Sequence, residues 1–243
     1  MLTVVVPAYN EGERIRETLS QLTSSLRDVE VIVVFDGDDH TPDVVRNYPV
    51  KLVVSKERLG KGGAIKEGIR RSQGDLIAFL DADMPVTLQE LVEVVSATKG
   101  ADLVVANRKF VGFPNLRKFL HHAFIVTTKA FFPSLMDFSD FQAGLKVMKS
   151  SKALEVLDEL VINDWLFDVN LIYSFVRRGY KVVEVPVTWV HKDGGKVSGR
   201  VVKTATMMFL SLVKLRTYYS PARWVLRTRL YRRAEAWLQR VLR

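Results

Sequence analysis

Two carboxylates two residues apart, Asp81 and Asp83, follow the most hydrophobic short run of the chain, Leu76 to Leu80. Acids so spaced at the end of a buried strand emerge together. Their oxygens suit a hard cation, Mg²⁺ or Mn²⁺, that keeps positions open for substrate phosphates. A metal there would bridge a diphosphate and stabilise the charge on a departing nucleotide. The bland alternative is a solvated loop with a helix cap. Asp36 ends a second apolar run and leads into Gly37-Asp38-Asp39. A carboxylate in that place can accept hydrogen bonds from a nucleobase imide or a ribose hydroxyl. Thr41-Pro42-Asp43 is also a good helix start in its own right. Leu59-Gly60-Lys61-Gly62-Gly63-Ala64 is a glycine-rich helix start carrying a lysine. It would either bring backbone N–H groups and Lys61 to phosphates or simply let a helix pack closely on a sheet. It lacks P-loop spacing, because no Ser or Thr follows the lysine.

The elements that position these residues read as a β-α alternation. Short runs rich in β-branched residues lie at Leu2 to Val6, Val31 to Phe35, Lys51 to Val54, Leu76 to Leu80 and Leu103 to Val105. Helical periodicity is expected over Gly12 to Leu26, Lys61 to Ser72, Thr87 to Thr98, Ser151 to Leu160 and Trp165 to Arg177, with Thr87 and Glu90 forming a capping box. This alternation predicts an open, mostly parallel, doubly wound α/β sheet, which binds ligands at the carboxyl ends of its strands. Further strands are expected at Gln142 to Met148 and Lys181 to Val187. Arg108 to Phe132 reads as loops and a basic, aromatic helix.

The chain has 243 residues, enough for one sizeable core and an appendage. It contains no cysteine, so it has no disulfide or thiolate site, which fits a reducing compartment. The net charge of +9 is uneven: residues 200–243 hold 11 basic residues and one acid, Glu235, while residues 1–199 nearly balance. Leu2 to Val6 already reads as a core strand, so no cleaved leader is expected. The longest weakly charged run near the end, Thr204 to Val213, is about half of the roughly 20 residues a spanning helix needs.

Taken in order, Val4-Val5-Val6-Pro7-Ala8-Tyr9-Asn10-Glu11, Phe35-Asp36-Gly37, Gly60-Lys61-Gly62-Gly63-Ala64 and Asp81-Ala82-Asp83 resemble the inverting glycosyltransferases of family 2 with the GT-A fold. Ser139-Asp140-Phe141-Gln142-Ala143-Gly144-Leu145-Lys146, Trp165-Leu166-Phe167-Asp168-Val169 and Glu184-Val185-Pro186-Val187 through Gly195-Lys196-Val197-Ser198 look like its dolichyl-phosphate glucosyltransferase branch, with the mannosyltransferases a close relative. The resemblance implies a GT-A nucleotide-diphospho-sugar transferase domain over residues 1–199. Pro7, Tyr9, Glu11 and Asp36 would cradle the nucleoside of UDP-glucose or GDP-mannose. Asp81, Ala82 and Asp83 would engage metal and diphosphate, Lys61 would add a donor contact, and Lys196 would reach phosphate from a mobile loop. Arg108 and Arg117, with Lys118, match basic positions that hold the phosphate of a dolichyl or polyprenyl acceptor. Asp140 and Asp168 remain for sugar contacts or for structural hydrogen bonds. Three positions depart from the pattern: Phe35 replaces the first acid of a paired-Asp motif, Pro85 stands where mannosyl enzymes often have Gln, and Asn170 where the glucosyl branch often has Glu.

A phosphate acceptor is already anionic and needs no general base, so arginines that position it and a metal that stabilises the leaving group would supply most of the rate. The tail, residues 200–243, reads as two basic amphipathic helices. Val201, Ala205, Met208, Phe209, Leu212 and Leu215 recur at helical spacing, and after Ser220-Pro221 so do Leu226, Leu230, Ala234, Trp237 and Val241. Helices of this kind suit an anionic membrane interface, so the expectation is a peripheral enzyme at a cytoplasmic membrane face with no nucleic-acid partner. The alternatives are another family 2 acceptor or a basic interaction protein whose tail binds nucleic acid, and the latter leaves the acidic strand ends unexplained.

Overall fold

The computed structural model describes residues 1–26, 28–84, 86–111, 115–190 and 201–241, with side chains excepted at 110–111, 115–117, 189–190, 201–202 and 238–241. Seven strands form one sheet in the order β3-β2-β1-β4-β6-β5-β7. They are β1 (Leu2–Ala8), β2 (Val29–Phe35), β3 (Lys51–Val54), β4 (Leu76–Leu80), β5 (Leu103–Val111), β6 (Leu145–Lys149) and β7 (Val182–Val190). All neighbours run parallel except β6, which is antiparallel to both β4 and β5. The helices are α1 (Ile15–Ser25), α2 (Thr41–Val45), α3 (Gly60–Arg71), α4 (Leu88–Ser96), α5 (Asn115–Phe131), α6 (Ser150–Val156), α7 (Phe167–Arg177), α8 (Val201–Tyr218) and α9 (Arg229–Val241).

Alternation along each strand sends side chains to opposite faces, and each face has its own core. Val5, Ile32, Val34, Ile77 and Phe79 pack with Ile65 of α3 and with Phe167, Leu171 and Phe175 of α7. Val4, Val6, Val31, Val33, Ala78 and Leu80 pack with Ile15 and Leu19 of α1 and with Leu91 and Val94 of α4. Strands buried on both faces explain why the sequence shows continuous apolar runs. The capping box forms as expected: Thr87 Oγ1 accepts from Glu90 N, and the Glu90 carboxylate accepts from Thr87 N.

Three expectations are corrected. β5 continues through Arg108, which lies opposite Val187, because pairing with β7 extends the strand past its apolar run. Strand β6 begins at Leu145 rather than at Gln142. After Ser220 the chain forms a 3-10 segment, Pro221–Arg227, so Leu226 precedes α9 instead of lying on its face. Helix α8 contributes Met208, Leu212 and Leu215 to the core it shares with α5 and α7. Ser211 Oγ of α8 donates to Asp164 just before α7.

Candidate active site

Parallel pairing of β1, β2 and β4 brings their carboxyl ends to one edge. At the end of β4 the backbone turns sharply: Asp81 N donates to Gly144 O at 3.1 Å and Met84 N to Asp81 O at 3.0 Å. Met84 takes φ +35°, a left-handed backbone costing on the order of 1 kcal/mol, so the turn is held from outside. One such hold is the hydroxyl of Thr18, buried on α1, which donates to Ala82 O at 2.7 Å. Asp81 and Asp83 therefore project from a rigid corner. Asp83 titrates above the usual carboxylate range because it is buried and because Asp81 and Glu11 add negative charge. Clustered carboxylates at a strand end suit a divalent cation. Gly144 keeps the space beside Asp81 open, since a Cβ there would stand 1.8 Å from Asp81 Oδ2. Among the described residues no three His, Cys, Asp or Glu side chains form a metal cage. Asp81 and Asp83 supply hard carboxylate oxygens of the kind that Mg²⁺ or Mn²⁺ takes alongside water and substrate phosphates.

The loops after β1 and β2 lock together. Asn10, at φ +54°, donates from Nδ2 to Asp38 Oδ1 at 2.7 Å and accepts from Asp38 N at 2.9 Å. Asp39 accepts from Gly12 N and Thr41 N, and Thr41 Oγ1 accepts from Glu11 N. Asp38 and Asp39 thereby position Tyr9 and Glu11. Asp36 is almost wholly enclosed, its side chain 2% accessible. Its Oδ2 accepts from Leu59 N at 2.8 Å and Gly60 N at 2.7 Å, while Oδ1 pairs with the Arg58 guanidinium. That guanidinium lies 3.4 Å from the centroid of the Tyr9 ring. Pro7 is on β1 opposite Val34, and Phe35 belongs to the core.

Lys61 turns toward carboxylates. Its Nζ stands 3.1 Å from Asp81 Oδ1 and 3.2 Å from Asp168 Oδ2, and Lys146 Nζ stands 2.6 Å from Asp168 Oδ1. Burial works against the charge on Lys61, but Asp168 and Asp81 outweigh it and hold the ammonium above its ordinary range. Lys146 is pushed down, by burial first, although it donates to Asp168 and to Ala143 O. The glycines around Lys61 serve packing: a Cβ on Gly60 would meet Asn163 O at 2.5 Å, and one on Gly62 would meet Ile162 O at 2.6 Å. Asp168 is occupied by two ammonium groups.

On the far side of β4, Arg108 Nη2 donates to Asp140 Oδ1 at 2.8 Å while Nε donates to Oδ2. Asp140 is buried, but this pairing holds its carboxyl below the usual range. It is bound as a positioning partner of Arg108. Lys118 is exposed on α5; Lys196, Pro85 and the Arg117 side chain lie outside the described residues. Asn170 is wholly buried and accepts from Ile162 N at 3.1 Å and donates to Glu159 O at 3.0 Å, fixing the loop that packs on Gly62.

Sequence reasoning missed Arg58 and Lys146. Lys146 carried a signal, a lysine between Leu145 and Val147 in a strand, where only a buried partner would tolerate it. Arg58 carried none, because its partner is 22 residues away.

The glycosyl transferase family 2 model matches residues 3–153 of this chain. The chain belongs to that family. Among curated relatives, the transferase is 30% identical over 215 residues to glycosyltransferase AglD of Haloferax volcanii, a match covering 81% of this chain and 34% of AglD. It is 29% identical to dolichyl-phosphate beta-glucosyltransferase ALG5C of Trichomonas vaginalis, covering 93% of this chain and 73% of that protein. It is 26% identical to the dolichol-phosphate mannosyltransferase of Pyrococcus furiosus, covering 83% and 60%. The transferase also shares its fold with glucosyl-3-phosphoglycerate synthase of Mycobacterium tuberculosis, solved with Mn²⁺, UDP and product, at a TM-score of 0.70 and 19% identity over 91% of this chain and 81% of that one.

Proposed function

We propose that this glycosyltransferase moves a hexose, glucose in the first instance, from a nucleoside-diphosphate sugar to a dolichyl or polyprenyl phosphate, with inversion at the sugar carbon. The observation that carries this reading is the state of Asp140 and Asp168, the buried acids that remain once Asp36 is enclosed and Asp81 and Asp83 are given to a metal. Asp140 is neutralised by a two-bond guanidinium and Asp168 by two ammonium groups. The oxygens of both are already taken by these cations, so neither is placed to accept a proton from a hydroxyl acceptor. A phosphate monoester brings its own negative oxygen and needs no such base. The names of the dolichyl-phosphate glucosyltransferase relatives support the same acceptor.

Each part of the edge then has a task. Tyr9, Glu11 and Pro7 line the nucleoside end. Asp81 and Asp83 would hold Mg²⁺ or Mn²⁺, which when bound supplies positive charge to the diphosphate as it leaves. Arg108, its plane fixed by Asp140, orients the acceptor phosphate with Arg117 and Lys118, and Lys196 adds a phosphate contact. Guanidinium suits this because its donors are planar and its charge is permanent.

The membrane contact falls to residues 200–243. On α9, Leu230 and Trp237 are 81% and 62% exposed, and Trp224 before it is 64% exposed. Arg229, Arg232 and Arg233 alternate with them. No described helix is long and apolar enough to cross a membrane. The exposed apolar side chains set among arginines support a tail that lies in the interface of an anionic cytoplasmic leaflet, with residues 1–199 as the catalytic body.

The deciding assay incubates purified protein with Mn²⁺ or Mg²⁺, a short polyprenyl phosphate, and labelled UDP-glucose or GDP-mannose in parallel. Label in the lipid fraction from UDP-glucose, lost in Asp83→Ala, is expected. Label from GDP-mannose alone would reassign the sugar. A folded protein that transfers from neither donor, or only to a hydroxyl acceptor, would refute the reading.

A further inference from the structure

Where the tail leaves the body, a cavity of about 250 Å³ is lined by Glu159, Arg177, Tyr218, Tyr219, Ser220 and Arg223. Arg177 closes α7, Tyr218 closes α8, and Arg223 belongs to the Pro221–Arg227 segment that follows. None of these residues has a part in the proposed transfer. The frame of the cavity is fixed. Tyr219 Oη stands 2.9 Å from Ser174 Oγ and donates to Glu159 Oε2 at 3.2 Å, and its ring meets that of Tyr173 edge-on at 4.8 Å. Ser220 Oγ donates to Thr217 O at 2.9 Å and accepts from Ala222 N at 3.1 Å, which sets the turn out of α8. The rings of Tyr218 and Tyr219 stand at 86° to one another, and each carries a guanidinium. Arg177 Cζ lies 5.0 Å from the Tyr219 centroid and Arg223 Cζ 5.9 Å from that of Tyr218.

The charge around this cavity is unbalanced. Glu159 is the one acid among the described residues that line it, and its carboxylate is already engaged: Arg178 donates to Oε1 at 2.7 Å, and Oε2 accepts from Tyr219. Arg177 stands 3.8 Å from Oε2, too far for a hydrogen bond, with its side chain 53% accessible. Arg223 is exposed and pairs with no carboxylate of the described residues. Two guanidinium groups thus face one cavity with their N–H donors free of the described residues. Their planar forks and permanent charge match the oxygens of a phosphate.

The next residue indicates which phosphate. Trp224 follows Arg223 directly and is 64% exposed. An indole at a membrane boundary sits at the level of the lipid headgroups, which brings the cavity beside it into the layer of lipid phosphates. A free phosphate would make no use of that indole. Resting on the reading of residues 200–243 as the membrane contact, we propose that this cavity seats the phosphate of an anionic glycerophospholipid between Arg177 and Arg223, with Trp224 against the start of its acyl chains. The lipid then meets the body as well as the tail. Arg177 lies at the last turn of α7, whose first turn carries Asp168, so the site ties the membrane to the helix that reaches the reacting edge.

Titration calorimetry of dihexanoyl phosphatidylglycerol, a lipid soluble as single molecules, and of inorganic phosphate into the full chain tests the site. Flotation with phosphatidylcholine vesicles containing phosphatidylglycerol runs in parallel. One short lipid per chain should bind, roughly tenfold more tightly than inorganic phosphate. Arg177→Gln with Arg223→Gln should weaken it about tenfold, while Arg229→Gln with Arg233→Gln, which removes the same charge from α9, should stay within about twofold. Should the first pair lower the thermal midpoint by more than a few degrees, Arg177→Lys with Arg223→Lys decides. Lysine keeps the charge but not the planar donors, so weakened binding supports the proposal and wild-type affinity overturns it. Inorganic phosphate bound as tightly as the short lipid would make this a free-anion site and overturn the lipid assignment. A loss in the α9 pair as large as in the cavity pair, or no saturable binding of the short lipid, overturns the proposal, and a chain that still floats then leaves the membrane reading standing. A wild-type chain that does not float with anionic vesicles overturns it together with that reading.

Discussion

Asp168 shares one buried carboxylate between Lys61 and Lys146, and the whole cluster with Asp81 is close to neutral only while all four groups are present. Removing one partner of a buried pair strands the others, at a cost of about 3–5 kcal/mol. Asp168→Asn should therefore lower the denaturant midpoint by an amount corresponding to roughly 3 kcal/mol, and Lys146→Met in the same background should recover part of it. Equilibrium urea unfolding of the three proteins checks this. Gly144 makes the opposite kind of prediction. A methyl there would force the Asp81 carboxylate to move, since the added Cβ would stand 1.8 Å from Oδ2. Displacing a reacting group by about 1 Å can cost a hundredfold in rate. Gly144→Ala should lose transferase activity on that scale while thermal unfolding shifts by no more than a few degrees. The place of the acids at 81 and 83 just past a strand end was legible because an apolar run followed by carboxylates is a local feature of the sequence. The partners of Asp36, Asp140 and Asp168 were not, since side chains 22 or more residues away fill them.

The elements place these residues by close backbone approach. Helix α3 begins against the loop at 162–163, with Gly62 N donating to Asn163 O at 2.9 Å, so its glycines are explained by packing. The same helix carries Lys66, whose Nζ donates to Leu160 O at 2.8 Å. Burial, with Arg70 and Lys214 nearby, pushes Lys66 down to about 8 from an ordinary 10.5. The folded state thus disfavours the charged amine. Below about pH 8 the lysine is protonated folded and unfolded, and the whole penalty is present. Between about 8 and 10.5 the unfolded chain binds more protons, so stability rises with pH and the penalty vanishes above that window. Because the side chain is partly solvated, the screened gain should be about 1–2 kcal/mol. Urea unfolding at pH 7 and 10.5 should show wild type gaining that much relative to Lys66→Met, and parallel curves would exclude it. The β-α alternation was readable from periodicity, which depends only on local spacing. The extension of β5 through Arg108 was not, because β7, some 80 residues on, supplies the pairing.

At the scale of the molecule the charge is divided between a balanced body and a basic tail, and the tail is divided again. Helix α8 joins the core through Met208, Leu212 and Leu215, while Lys214 and Glu235, 2.6 Å apart, tie α9 to it. Trp224, Leu230 and Trp237 stay exposed. Burying three such side chains in an interface is worth several kcal/mol, and nearby arginines add on the order of 1 kcal/mol each against anionic lipid. Flotation with phosphatidylserine-containing vesicles should show strong binding that weakens with salt. Replacing the three residues with serine should reduce it at least tenfold. A variant that floats like wild type would mean that this surface does not meet the membrane. The order of strands and helices, the acidic corner after β4 and the basic charge of the tail were determined by the sequence itself, because apolar periodicity, strand-end acids and charge runs are local properties. The antiparallel place of β6 between β4 and β5, the enclosure of Asp36 by Arg58 and the sharing of Asp168 by two lysines were decided only by tertiary structure. These depend on which distant segments the closed core brings within bonding distance, and nothing in local spacing encodes that.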